Sequence, residues 1–247
     1  MKALSELSAH EPSFPPLFSG EAVQSGVDPF KEAVARARKG TEPGLIMYRI
    51  RPDYLSAALV LAPETTLDDA ISMVLVASVG FTDSFGSVSP SEVAAQIDWP
   101  GTFRINGARC GGIRAASSTF DPLIVPDWLV IGLEVPFFAQ DAVEPGQEPD
   151  TTTLWDEGCS DIEPRQLLES WSRHVLVWMH DWLEDGLARI HSEWTGRAYS
   201  IGKTIEIVVA GDTYSGQFIG LDEKGGMLLK IAGNTELLPL TLILEEV

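Results

Sequence analysis

The residues of this chain best suited to chemistry are three arginines and a run of glycines. In the stretch IDWPGTFRINGARCGGIR, Ile97 to Arg114, the apolar pair Phe103 and Ile105 is followed by Asn106-Gly107, Arg109 and then Gly111-Gly112. That order predicts a strand, a tight turn and a second strand, with bare backbone where something must approach closely. Arg109 would stand beside that backbone and could act on an anion. Arg49 and Arg51 lie two apart in GLIMYRIR. In a strand they share one sheet face, which gives either a modest anion site or ordinary surface. The glycines also have two readings, room for a ligand or relief of crowding within a hairpin.

Other chemistry-bearing residues are poorly arranged. His174 and His180 would sit about 120° apart around a helix, so they cannot clamp one metal. His180 and Glu184 share a face as helix support. Cys159 and Ser160 have no base nearby for a nucleophile. No phosphate-binding P-loop or dinucleotide fingerprint occurs. The residues suggest neither a metal nor a redox cofactor.

The elements that would position the arginines follow from patterning. Residues 1–27 read as an irregular lead-in. Asp28, Pro29 and Gly40 mark a helix start, first turn and stop. GLIMYRIR and AALVLAPE read as strands. A helix with capping pair Thr66 and Asp69 follows to about Phe85, and DWLVIGLEVPF is a buried strand. The segment from Asp141 to Glu163 is acidic without a basic residue and reads as a solvated loop. Ser160 and Glu163 form a capping box for a long helix with Leu167, Leu168, Trp171, Val175, Trp178, Met179 and Trp182 on one stripe, as core packing. The last 50 or so residues, TIEIVV, YSGQFIGLD, GMLLKI and ELLPLTLIL between turn signals, make a small antiparallel barrel.

Charge narrows the partners. With 36 acidic residues against 17 Lys plus Arg, the formal net charge of -19 opposes nucleic acid and anionic membrane surfaces. A small anion could bind only in a locally basic pocket. Two cysteines, an N-terminus without a signal-type apolar run and apolar stretches too short to span a bilayer lead us to expect a cytoplasmic protein.

The order of these segments resembles the biotin/lipoate–protein ligase family. DWPGTFRINGARCGGI is similar to the family's Lys-Trp-Pro-Asn-Asp, turn, catalytic lysine and Gly-Ile, and PDWLVIGLEV to its Val-Ile-Gly-x-Gly-x-Asn strand. GKTIEIVVAGDTYSGQFIGLDEKGGMLLK resembles the C-terminal SH3-like barrel of biotin ligases. The resemblance implies an α+β fold, a mixed sheet with helices packed on it over 28–194 and an SH3-like barrel over 195–247. It also implies ATP-driven activation of an acid such as biotin or lipoate and its transfer to a biotinyl or lipoyl carrier protein. Arg109 would occupy the lysine position, while Trp99, Pro100, Gly111, Gly112, Ile113 and Gly132 would line the ligand with Arg49 and Arg51 nearby. By analogy the chain could form a homodimer.

The sequence departs from the family where charge is handled. The Gly/Arg-rich loop is missing, Asp98 and Gly101-Thr102 replace Lys and Asn-Asp, and Glu134 and Pro136 replace a glycine and an asparagine. Joining two anions needs positive charge, so these losses argue for lost or altered ligation with a small carboxylate pocket retained. Two alternatives are an active ligase with a changed acid, using all three arginines, and a non-catalytic interaction or carrier-recognition module.

Overall fold

A computed structural model describes residues 11–139 and 150–247. Its centre is a seven-stranded sheet in the order β1-β2-β3-β7-β6-β5-β4. The strands are β1 (Ser19–Ala22), β2 (Leu45–Ile50), β3 (Tyr54–Leu61), β4 (Ala95–Asp98), β5 (Thr102–Ile105), β6 (Ala108–Ser117) and β7 (Leu129–Pro136). β1 pairs with β2 in parallel and the remaining pairs are antiparallel, so the sheet is mixed as expected. β1 lies within the segment read as an irregular lead-in. It carries no apolar alternation, and all four residues are exposed, so only its edge pairing with β2 makes it a strand.

Alternation on the strands separates two cores. Leu55, Ala57 and Leu59 of β3 face the main core, while Ala58 and Val60 face a smaller one. The smaller core is covered by α1 (Pro29–Ala37), whose N-cap Asp28 accepts the Phe30 N–H at 2.9 Å and whose first residue is Pro29. The larger core is covered by α2 (Leu67–Ala70), α3 (Met73–Val88), α4 (Pro164–Asp185) and α5 (Ala188–Arg197). The single helix expected from Thr66 is broken after Ala70, where the Ser72 hydroxyl donates to the Asp69 carbonyl at 2.6 Å. Thr66 meets the Asp69 carboxylate rather than capping a backbone N–H. Leu67–Val88 is long and apolar enough to cross a membrane, but 78% of its most apolar window is buried in the protein. A helix apolar on all sides is at home in such a core.

The stripe on α4 packs as expected. Trp171 is fully buried and its indole N–H donates to the Ala77 carbonyl of α3 at 3.2 Å. The helix begins differently, however. Glu163 is the N-cap without a side-chain cap bond, and Pro164 supplies the first turn, so Ser160 lies outside the helix. Residues 141–149 of the acidic segment lie outside the described residues. The remainder is no solvated loop, because Leu154, Cys159 and Ile162 are buried in the main core.

β8 (Thr204–Val209), β9 (Asp212–Leu221), β10 (Met227–Ile231) and β11 (Asn234–Leu238) form a second, antiparallel sheet in the order β11-β10-β9-β8. The sheet is open, with β8 and β11 at its edges. ELLPLTLIL is only partly a strand: past Pro239 the chain turns through a 3-10 segment, Leu240–Ile243. It then lies alongside β6, where Glu245 N–H donates to the Ala115 carbonyl at 2.9 Å. Trp99, only 3% exposed, joins the sheets by donating its indole N–H to the Gly225 carbonyl at 2.9 Å.

Candidate functional site

Asn106 and Gly107 have φ of 49° and 93°, the two left-handed residues of a primed hairpin turn. The turn sets Arg104 opposite Arg109. Like charges in that position repel, and each guanidinium has its own anion. Arg104 pairs with Asp98, donates to the Gly107 carbonyl at 2.6 Å and lies 4.5 Å over the Tyr199 ring. Arg109 is more than half exposed, 3.6 Å from Asp150, with its main chain held by Asp150 and Thr152.

Past Arg109 the β5–β6 pairing shifts register, and Gly111 takes φ 81°. The extra residue reverses the faces of β6. Cys110, Ile113 and Ala115 therefore all meet the main core, whereas Arg114 and Ala116 look toward α1. Burial first, then the Glu157 charge, pushes the Cys110 thiol up to about 12. Cys110 and Cys159 are both free.

The approach to the glycines is made by the chain itself. A β-carbon on Gly111 would collide with the Glu134 carbonyl. One on Gly112 would lie 2.9 Å from the Gly101 carbonyl oxygen, and one on Gly132 2.6 Å from the Phe30 ring. Phe30 of α1 is 1% exposed and covers the face on which Gly132 opens.

Beside Phe30 stands a charged cluster. The Arg114 guanidinium lies 4.2 Å over the Phe30 ring. Its Nε and Nη2 donate to the two Glu245 oxygens at 2.8 and 2.7 Å, and its Nη1 donates to Glu134 at 2.8 Å with Asp28 at 3.3 Å. Tyr54 donates its hydroxyl to the other Glu134 oxygen at 3.0 Å. The bonds to Glu245, against the opposing effect of burial, hold the guanidinium pKa above its ordinary value, with Glu134 adding to them. Burial raises the Tyr54 phenol, again with help from Glu134.

A cleft of about 740 Å³ separates the two sheets. Trp99, Pro100, Arg109, Ile113 and Arg114 line one side, and Ile205 to Val209 of β8 with the adjoining Ala210 line the other. Four of the expected site residues thus share one cavity wall, and the other expected residues lie elsewhere. Arg49 donates to the Val27 carbonyl at 3.0 Å, and its buried Nε has no partner. Arg51 falls past the end of β2, so the shared strand face does not extend to it. It forks onto Asp53 at 2.9 and 2.5 Å and lines a separate, more aromatic cavity with Phe138 and Trp155. Among the described residues no group of three or more His, Cys, Asp or Glu could hold a metal ion.

The model of the Biotin/lipoate A/B protein ligase family matches residues 14–196. The chain belongs to this family. Its relatives include a biotin–[acetyl-CoA-carboxylase] ligase of Paracoccus denitrificans, 25% identical over 211 residues and 85% of each protein. A solved biotin protein ligase-like protein of unknown function from Silicibacter sp. TM1040 is 46% identical, with a TM-score of 0.87 over 96% of this chain and 100% of that one. Biotin protein ligase from Aquifex aeolicus shares the fold at 15% identity, with a TM-score of 0.73 over 90% of this chain and 95% of that one.

Within the family's fold, the residue that sequence reasoning passed over is Arg114. It ends the GGIR motif and meets Glu134, 20 residues away, through pairing that places Gly112 opposite Glu134 and Arg114 opposite Gly132. The visible signal was a charge of opposite sign in each of two neighbouring strands, Arg114 in the second half of β6 and Glu134 in the otherwise apolar β7.

Proposed function

We propose that this member of the ligase family keeps the scaffold and a small-carboxylate cleft, with ATP-dependent acyl ligation lost or altered. One observation carries the reading: the sheet face at Gly132 is filled from within by Phe30 and the Arg114–Glu134 pair. An acid and a triphosphate brought together need converging positive charge in a water-poor site. Arg109 faces Asp150, Arg51 is held by Asp53, and Arg49 is bonded to Val27 in a different place. The β2–β3 connection, residues 51–53, has no length for the phosphate-covering loop that the family resemblance implies. That dispersal also weighs against an active ligase that would use the three arginines together.

The test is acid-dependent pyrophosphate exchange with ATP and biotin, lipoate or octanoate in turn. Biotin heads the set because the Paracoccus denitrificans relative is a biotin ligase. Exchange should stay at the level seen without acid; robust exchange with any of the three refutes the reading.

A further inference from the structure

Within the cleft, the guanidinium that holds a carboxylate with both arms of its fork is Arg114 rather than Arg109. Arg114 presents Nε and Nη2 as a fork, and two nearly equal bonds of 2.8 and 2.7 Å receive the Glu245 carboxylate. This is the planar bidentate match that guanidinium makes with carboxylates. Glu245 comes from the extended segment after the 3-10 turn, far from Arg114 in sequence. Its backbone N–H donates to the Ala115 carbonyl, and the segment is also held by Leu244 in the main core and by Arg38, which donates to the Val247 carbonyl. Arg114 and Glu245 both line the cleft between the sheets, where Ile113, Ile205, Leu242 and Ile243 supply apolar wall. The Glu245 side chain is 37% exposed, so solvent reaches the pair.

We infer that the Arg114 fork is a binding site for a small monocarboxylate with an apolar chain, and that Glu245 occupies it in competition with that ligand. This deepens the proposed function, on which it rests, by moving the carboxylate from Arg109 to Arg114. Charge supports the exchange. Arg114 already faces Glu134 and Asp28, and a lone added anion would be repelled. Replacing Glu245 with another carboxylate leaves the number of charges around the guanidinium unchanged. Phe30, stacked beneath the guanidinium, keeps the fork plane in place whichever carboxylate it holds. The cleft volume of about 740 Å³ is ample for a ligand of octanoate size.

An internal competitor lowers apparent affinity by the fraction of time the site is free. If Glu245 holds the fork about nine-tenths of the time, removing it tightens ligand binding about tenfold. Octanoate is titrated calorimetrically into the full chain, its Glu245→Ala and Glu245→Gln variants, and Glu245→Ala combined with Arg114→Gln, Arg114→Lys or Arg109→Gln. The Glu245→Ala variant should bind about tenfold tighter than the unaltered chain, and Glu245→Gln should fall between them. Either Arg114 change should erase the gain, while Arg109→Gln should preserve it. Arg114→Lys keeps the charge without the fork and serves if Arg114→Gln does not fold. Equal affinity with and without Glu245, absence of binding in Glu245→Ala, or a gain that depends on Arg109 overturns the inference. Pyrophosphate exchange on the same preparations tests the parent reading separately.

Discussion

Replacing Gly132 by alanine tests, through the sign of a stability change, whether its sheet face is filled or open. Gly132 lies in β7, paired to Ala58 of β3 and Arg114 of β6. Elsewhere in a strand, exchange of glycine for alanine reduces the freedom of the unfolded chain and stabilises by about 0.4–1 kcal/mol where the backbone permits. An open face would therefore reward Gly132→Ala. Here the new methyl would lie 2.6 and 3.2 Å from two Phe30 ring carbons and 3.3 Å from the Arg114 β-carbon. The ring cannot retreat easily, since Phe30 is 1% exposed and Arg114 covers it. Overpacking of this kind costs about 1–3 kcal/mol. Subtracting the entropic gain leaves a net loss of about 0.5–2 kcal/mol. In a domain of this size each kcal/mol moves the melting point by about 2–4 °C, so Tm should fall by several degrees in calorimetry. Phe30→Ala is itself destabilising, but adding Gly132→Ala to it should bring no further loss, because the colliding ring is gone. A Tm that rises in Gly132→Ala alone refutes the argument and reopens that face as a pocket.

Trp99 is assigned to joining the sheets, so Trp99→Phe should destabilise by about 1–3 kcal/mol by leaving the Gly225 carbonyl without its donor. Unchanged urea stability together with lost carboxylate binding would make Trp99 a ligand contact instead. The Cys110 thiol, pushed up to about 12 in the fold, titrates near its ordinary value of about 8.5 once the chain unfolds. The stability it contributes is complete below about pH 8.5 and is lost as pH rises toward 12, at up to about 1.4 kcal/mol per pH unit. Cys110→Ala should flatten the alkaline decline in urea midpoint between about pH 9 and 10.5, and an unchanged slope would contradict the assignment.

Patterns held within one element were legible in the sequence. The Asp28-Pro29 helix start, the Asn106-Gly107 turn and the tryptophan stripe of α4 each carry their cause in neighbouring residues. Features that depend on distant partners were not. The β1 strand exists through β2, and the residues from Thr151 to Ile162 are held by Arg109 and the main core rather than by their acidic composition. Pro164 explains the start of α4 better than the Ser160 box, since one residue with fixed φ outweighs a capping pair in the wrong register. The site divided along the same line. Trp99, Pro100, Arg109 and Ile113 follow from one continuous motif and share a wall, whereas Arg49 and Arg51 part where β2 stops. Phe30, Glu134 and Glu245 come to Arg114 from three other parts of the chain.

The pairing of Leu244 and Glu245 with Ala115 has a consequence for the order of events on the ribosome. β6 emerges early, with its outer edge beyond Gly112 unprotected by β5. About 130 residues later the segment that covers this edge is made, a delay of roughly 6–26 s at ordinary translation rates. During that interval the nascent sheet offers free N–H and C=O groups to any neighbouring strand. The late-made segment thus acts as a seal on the first-made sheet, and an early stop before Leu244 would release a chain with an open seam.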